Sequence, residues 1–457
     1  MKIKTLLLLL FLPAMGISQQ TVVEFSYDEF LEIVKSNHPT MSGIDNNLDV
    51  AVQNLRAARG IFDPRIEGTI EEKQYNGQEY YSLVNGSLKI PTWYGIELKG
   101  GFENNTGNYL NPQNVTPSAG LTALGISVPI GRGLLINERL TILQKARRQI
   151  DVSASEMRID KAELLFTASL AYYNWKRSHE EMQLYQQYKT NAEIRLAAVR
   201  SLILNGDKPA IDSIEAGIAF KTRILNLEQS TLKLLKARLN LSNFLWTKER
   251  APLELSENAI PQQRILPNIE RFIANDLASL MEQHPKITAL ERKIEIGKIE
   301  RRFKANSLLP IIRIDYTHLS EAQSAIPGEF SNYKIGALLQ MPLFLRKERA
   351  ELRIAKLRLD NSQIDLEVVR LELSNKLEMQ QKELESLTRQ IAVISELAQN
   401  HKQMVASEER LFSFGESSLF IINSRENNYI GSKLAEIEMQ YKLMEAEAEW
   451  RRLIVDF

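Results

Sequence analysis

The chain has 457 residues, and its 57 lysine and arginine residues balance 57 aspartate and glutamate residues. The formal net charge is zero and the charges are interspersed, so the sequence offers no basic surface for nucleic acid and no nucleic-acid partner is expected. There is no cysteine, which excludes disulfides, thiolate metal sites, a cysteine nucleophile and a lipid-modified N-terminal cysteine.

The first 18 residues have the pattern of a secretory signal peptide. Lys2 and Lys4 precede an apolar run at residues 6–12, and small residues follow before Gln19. The apolar run is shorter than the about 20 residues that a transmembrane helix needs. Residues 1–18 are therefore predicted to be removed, and a cytosolic coiled-coil protein, the alternative, would require that they are retained.

Two similar segments, "KSNHPT" at residues 35–40 and "MEQHPK" at residues 281–286, indicate an internal duplication. In each copy a second proline follows the first by 25 residues, and both prolines are offset by 246 between the copies. Each first proline can occupy the first turn of a helix. We predict a tandem repeat in which each copy has two helices, two strands, a long helix, a glycine turn and a return helix.

The repeat predicts a signal peptide at 1–18, a first repeat at 19–246, a linker at 247–268 and a second repeat at 269–457. Strands are predicted at about 65–75 and 119–129 in the first repeat, and at about 309–318 and 333–342 in the second. The prolines that end the returning strands are offset by 213 instead of 246, so the first repeat holds about 33 more residues between its strands. These residues predict one extra hairpin at about 80–103, turning near 91–94.

Two stretches, at about 138–204 and 346–412, contain no proline or glycine and carry apolar residues at every seventh position. A sustained seven-residue repeat predicts supercoiled helices, each about 100 Å long at about 1.5 Å per residue. Gly206 and Gly415 follow these stretches and can adopt the positive φ that reverses a helical hairpin.

These elements require more than one copy of the chain. Membrane barrels begin at about eight strands and tolerate no open edge, so four strands cannot close one alone. Long helical hairpins with more than one apolar seam also need neighbours. The predicted fold class is therefore mainly α with a membrane β-barrel portion, in which a ring of chains forms a β-barrel continued by an α-helical barrel.

This plan resembles the TolC-like outer-membrane efflux protein family over about residues 22–456. The resemblance rests on the "NHP" and "QHP" helix starts, the "DPRI" and "LPII" strand starts, the "VPIGRG" and "MPLFLR" strand ends and the two glycine turns. It implies a homotrimer in the outer membrane of a Gram-negative bacterium, extending into the periplasm. Each protomer would supply four strands to a 12-stranded barrel, above a tunnel of twelve helices.

The family also implies partners and site residues. The duct would serve a tripartite efflux pump or a type I secretion system, through a periplasmic adaptor protein and an inner-membrane pump. Hairpin tips that contact the adaptor would be Asn205, Gly206, Asp207, Phe414, Gly415 and Glu416. Family members carry acidic residues after the second turn glycine, but here those positions are Ile421 and Ser424, and the equivalent first-repeat positions are Asp212 and Glu215. These four residues are the candidates for the pore or gate lining.

The sequence contains no pattern of catalytic residues, and no enzymatic activity, cofactor or metal is expected. His38 and His284 each precede a helix-starting proline and are interpreted as structural. Trp93 and Tyr94 suit a membrane-interface aromatic pair, an extracellular loop tip or a core position. The competing interpretation of the whole chain is a secreted or periplasmic coiled-coil scaffold without a pore.

Overall fold

The structure of the chain, a computed structural model, describes residues 23–263, 277–322 and 331–457. The predicted signal peptide lies outside the described residues, as do the end of the predicted linker and the start of the second repeat. Among the described residues, no helix is both long and apolar enough to cross a membrane.

The described elements follow the same order in both halves, apart from the extra hairpin in the first half. In the first half they are β1 Val23–Phe25, α1 Tyr27–Asn37, α2 Pro39–Gly60, β2 Arg65–Tyr75, β3 Gln78–Pro91, β4 Glu97–Thr106, β5 Leu121–Pro129, α3 Glu138–Leu204 and α4 Ile211–Ser242. In the second half they are β6 Ala259–Pro261, α5 Leu277–Glu282, α6 Pro285–Asn306, β7 Ile311–Glu321, β8 Tyr333–Gln340, α7 Arg346–Ser413 and α8 Leu419–Ile454.

Equivalent helices of the two halves have nearly equal lengths. Helices α2 and α6 both have 22 residues and begin at the paired prolines, while α3 and α7 have 67 and 68 residues. Helix α2 ends at Gly60. The chain packs as two compact units, and each unit contains segments from both halves.

One unit comprises residues 40–164, 270–382 and 449–457 and contains a six-stranded sheet. The strand order is β2-β3-β4-β5-β7-β8, and every neighbouring pair is antiparallel. The extra hairpin, β3 and β4, therefore lies inside the sheet between β2 and β5. The sheet has six strands where the family resemblance alone implies four.

The turn between β2 and β3 is formed by Asn76 and Gly77, which both have positive φ, at 52° and 75°. An Asn-Gly pair with this backbone matches the right-handed twist of the strands that it joins. The hairpin between β3 and β4 turns at residues 92–96, where the Thr92 amide donates to the Ile96 carbonyl over 2.8 Å.

The described residues of the other unit are 23–39, 165–263 and 383–448, and its short sheet is anchored by aromatic side chains. Strand β1 pairs in parallel with β6, which lies inside the predicted linker. The hydroxyl of Tyr172 donates to the Phe25 carbonyl over 2.7 Å, and Tyr27 stacks on Tyr173. Helix α1 begins with the capping box that Ser26 and Glu29 form. Part of the linker is thus held in a packed structure.

The two helical hairpins of this unit pack together close to their turns. A cluster of apolar side chains joins α3, α4, α7 and α8: Leu196, Val199, Ile203, Ala216, Phe220, Phe412 and Leu419. Burial of aliphatic and aromatic side chains contributes about 1.5–3 kcal/mol for each residue. The hairpins are therefore held side by side at this level by apolar contacts.

A buried carboxylate lies beside this cluster. Glu426 of α8 is 1% exposed, and its Oε1 lies 2.5 Å from Nη2 of Arg195. Its Oε2 lies 3.7 Å from Nη2 of Arg223, which also donates to Asn427 over 2.8 Å. Burial lowers the pKa of the Arg223 guanidinium, and the Glu426 carboxylate opposes this shift. One carboxylate thus compensates two largely buried cations on α3 and α4.

Replacement of Glu426 by Gln should strongly destabilise the helical hairpins. The change removes the buried carboxylate beside Arg223 and leaves Arg195 with the more distant Glu409 carboxylate alone. Removal of one partner of a buried pair costs about 3–5 kcal/mol. We expect a clearly lower midpoint of thermal unfolding, measured by far-UV circular dichroism of the purified protein in detergent.

Glu409 provides the matched control, because its carboxylate also lies near Arg195, at 3.4 Å, but is half exposed. Glu409→Gln should cost less than about 1 kcal/mol, as is usual for exposed pairs. Equal unfolding midpoints for the two variants would contradict a special role for the buried carboxylate.

Candidate functional site

The six-stranded sheet has one predominantly apolar face. Neighbouring strands pair in continuous register, apart from a shift between Lys73 and Gln74 at the end of β2. Side chains alternate between faces along each strand, so the register defines the face of each residue before that shift and along the other strands. The apolar face carries Ile66, Ile70, Val84, Leu88, Ile90, Leu98, Phe102, Leu124, Ile126, Val128, Ile312, Ile314, Tyr316, Tyr333, Ile335 and Leu339. Many of these side chains are exposed, and Ile66 reaches 86%. Contiguous exposed apolar surface of this kind marks a face that contacts a partner or a lipid phase.

The opposite face collects the charged side chains of the strands. This charged face carries Arg65, Glu67, Glu71, Lys89, Glu97, Lys99, Glu103, Arg313, Asp315 and Lys334. Several of them pair across strands: Lys89 Nζ lies 2.5 Å from Glu67, and Lys99 Nζ lies 2.9 Å from Asp315. The two faces therefore suit two different solvents, one apolar and one aqueous.

The outer strands of the sheet present unpaired backbone edges. In the described residues, β2 and β8 each have a strand neighbour on one side only. All residues of both strands are exposed, whereas the inner strands are mostly half-buried. An exposed strand edge is a template for pairing with another chain.

Exposed apolar residues also recur at seven-residue spacing on the long helices. On α4 they are Ile211, Ile218, Leu225, Leu232 and Leu239, and on α7 they include Leu357, Ile364 and Leu371. A seven-residue apolar series is the pattern by which helices pack on neighbouring helices. In a single copy, the residues that the structure describes leave these seams uncovered.

The ends of the sheet differ in their connections. Helices α2, α3, α6 and α7 all join the strands at one end, and the β3–β4 turn lies at that same end. There, Asn137 Nδ2 donates to the Trp93 carbonyl over 2.9 Å, and Phe62 contacts the Trp93 ring. Trp93 and Tyr94 are both mainly exposed, so a core position is wrong for them. Both residues lie at the helix-joined end of the sheet, opposite the turn between β2 and β3.

The two hairpin turns have the same backbone geometry. In the first, the amide of Gly206 donates to Ile203 and that of Asp207 donates to Leu202, over 3.0 and 2.9 Å. In the second, Gly415 and Glu416 donate in the same way to Phe412 and Leu411, over 3.1 and 2.9 Å. This is the Schellman arrangement, which needs positive φ at the glycine, observed as 82° and 79°. The six predicted tip residues are all exposed at these turns.

The four candidate gate residues lie within the first two turns of the two return helices. Asp212 and Glu215 are half-buried on α4, whereas Ile421 and Ser424 are exposed on α8. Glu215 accepts a hydrogen bond from Nδ2 of Asn423 over 3.4 Å, so its carboxylate reaches the second hairpin. The first hairpin therefore supplies the carboxylates, and the second supplies an apolar and a hydroxyl side chain.

The paired histidines have structural surroundings. Both ring nitrogens of His284 are engaged: Nδ1 accepts from the Lys286 amide over 3.1 Å, and Nε2 lies 2.7 Å from the Leu453 carbonyl. This histidine caps α6 and connects it to the C-terminal end of α8. His38 packs its ring against Phe244 and Trp246. Within the described ranges, no three metal-ligating side chains come together.

No protein-family model and no curated protein matches the sequence. Solved structures do match it over almost its full length. The open-state MtrE outer-membrane channel of Neisseria gonorrhoeae matches with a TM-score of 0.69 at 14% identity, over 94% of this chain and 88% of that one. A membrane protein of Pseudomonas aeruginosa matches with a TM-score of 0.68 at 15% identity, over 93% and 89%. The outer-membrane protein VceC of Vibrio cholerae gives 0.66 at 11%, over 94% and 96%.

At these identities the similarity establishes the fold alone. The resemblance to TolC-like outer-membrane proteins, predicted from the order and spacing of the repeats, is confirmed at that level. The chain has the fold of the outer-membrane channels, with a sheet of six strands.

Proposed function

We propose that the protein is an outer-membrane exit duct, which passively conducts substrates across the periplasm and the outer membrane of a Gram-negative bacterium. The observation that carries this proposal is the two-faced sheet. Its apolar face would contact lipid, and its charged face would line water, as in a membrane barrel. In the chain's fold, this sheet is combined with long helical hairpins like those of the channels that it resembles.

Closure of the barrel requires several copies of the chain, and we propose a homotrimer. An open strand edge in lipid would leave backbone amides and carbonyls without partners, at a cost of several kcal/mol for each group. Pairing of β8 in one copy with β2 in the next removes both edges. The same neighbours would cover the exposed seams on α4 and α7.

The hairpin turns are the proposed docking points for a periplasmic adaptor protein, and through it for an inner-membrane pump. Asn205, Gly206 and Asp207 form one tip, and Phe414, Gly415 and Glu416 form the other. The exposed ring of Phe414 would supply an apolar contact, and the acidic residues would supply charge. The duct would serve a tripartite efflux pump or a type I secretion system.

The competing function is a coiled-coil scaffold without a pore, in the periplasm or secreted. A scaffold needs the helical seams but has no use for a sheet with one exposed apolar face. A scaffold function also does not explain why the charged side chains of the strands lie on the opposite face of the sheet. The two-faced sheet therefore favours the duct.

Removal of the carboxylates of Asp212 and Glu215 should weaken the interaction of the channel with cations. In the proposed trimer these groups recur in each copy around the pore, so they would concentrate cations there. For the Asp212→Ala/Glu215→Ala double variant we expect a several-fold weaker cation preference and cation block of single-channel currents in planar lipid bilayers.

Glu228, an exposed carboxylate on the same helix, is the matched control. Glu228→Ala should leave cation preference and block close to those of the unaltered channel. Unchanged currents in the double variant would remove Asp212 and Glu215 from the pore. Ile421 and Ser424 would then be the remaining candidates for its lining.

Disulfides between edge strands should link the copies into a covalent ring. Because the chain has no cysteine, any disulfide must come from the introduced pair. We propose Thr69→Cys on β2, combined in turn with cysteine at same-face positions of β8: Lys334, Gly336, Leu338 and Gln340. After oxidation in membranes, at least one combination should yield reducible dimers and trimers in denaturing gels.

The control pair is Gly101→Cys/Ala123→Cys, because these residues face each other on β4 and β5 of one copy. This pair should cross-link within a chain and migrate as a monomer. If every β2–β8 combination also remained monomeric while the control pair was oxidised, the proposed ring would be wrong.

A further inference from the structure

We infer that the extra hairpin, β3 and β4, is part of the membrane wall, so that three copies enclose a barrel of 18 strands. This inference rests on the proposed function, and it departs from the 12 strands that the family resemblance implies. The alternative is that the hairpin lies outside the wall, as an insertion exposed to water.

The strand order places the hairpin within the wall. Strands β3 and β4 separate β2 from β5, and each is hydrogen-bonded along most of its length to both neighbours. Displacement of the hairpin would expose the facing edges of β2 and β5. In lipid these edges would carry unpaired amides and carbonyls, a state that membranes do not tolerate.

The hairpin strands also continue the two faces of the sheet. Leu88 of β3 and Leu98 and Phe102 of β4 lie on the apolar face, together with the residues of the other strands. The neighbouring residues, Lys89 and Glu103, lie on the charged face. A hairpin exposed to water on both sides would have no need of this alternation.

An ion pair across three strands supports the same placement. Lys99 of β4 contacts Asp315 of β7 over 2.9 Å, although β5 lies between these strands. Gly125 of β5 stands in the same row as Lys99 and has no side chain to separate the two groups. The hairpin is thereby connected to the second repeat on the face that would line the pore.

Strand number and length fit a closed barrel. A hairpin adds two strands, so β8 of one copy and β2 of the next remain antiparallel. Strands β3 and β4 have 14 and 10 residues, against the about 9–11 that a tilted membrane strand needs. Barrel diameter grows roughly linearly with strand number, so 18 strands give a pore about one and a half times as wide as 12.

The test is the accessibility of single cysteines to water-soluble and lipid-soluble maleimides in isolated outer membranes. The hairpin is probed by two adjacent-residue pairs, Leu88→Cys with Lys89→Cys and Phe102→Cys with Glu103→Cys. We expect the water-soluble reagent to label positions 89 and 103 at least tenfold faster than positions 88 and 102. The lipid-soluble reagent should reverse this order.

The reference pair is Ile335→Cys and Lys334→Cys on β8, which lies in the wall under either barrel size. If this pair alternates but both hairpin pairs react equally with the water-soluble reagent, the 18-stranded barrel is wrong and the proposed duct stands. If the reference pair fails to alternate as well, the duct itself is wrong, and the inference is overturned with it. Alternation in all three pairs supports the wider barrel.

Discussion

Backbone hydrogen bonding at the edges of the six-stranded sheet is the constraint on which the proposed architecture depends. Among the described strands of each copy, β2 and β8 have one unpaired edge each, and lipid offers no donor or acceptor to satisfy them. In the proposed ring, β8 of one copy pairs with β2 of the next, which satisfies both edges at once. The even number of strands makes every such junction antiparallel, and a closed ring then has no edge left.

In the proposed barrel, the side chains give the sheet one face for lipid and one face for water. Along the strands, apolar residues occupy one face and charged residues the other, and the charges partly neutralise one another, as Lys99 does with Asp315. In the helical hairpins, by contrast, charged groups are also buried: Glu426 lies between Arg195 and Arg223. We interpret the charged face of the sheet as the wall of an aqueous pore. We interpret the buried ion pairs of Glu426 as contacts that hold the two helical hairpins of one copy together.

The features that the sequence predicted well are local in the chain. A seven-residue repeat without proline or glycine defines a long helix by itself, and Gly206 and Gly415 mark its reversal by backbone conformation. The position of the extra hairpin followed from the spacing of prolines. The Asn76-Gly77 turn also has a local signal, because Asn-Gly is a strong hairpin signal, although the spacing of the prolines does not indicate it.

The features that were not predicted depend on contacts between distant residues. The pairing of β5 with β7 joins the two repeats, and it decides that all six strands form one sheet. Trp93 lies at the end of the sheet that joins the helices because of the strand order, and amino-acid composition does not determine strand order. Arg195 and Glu426 are separated by 231 residues, so no local pattern could indicate their contact.

The most direct test of the proposed architecture is a density map of the purified protein in lipid nanodiscs by electron cryomicroscopy. We expect a closed ring of three copies with 18 strands across the lipid layer. A sheet outside the lipid, or a particle without a barrel, would contradict the proposed duct.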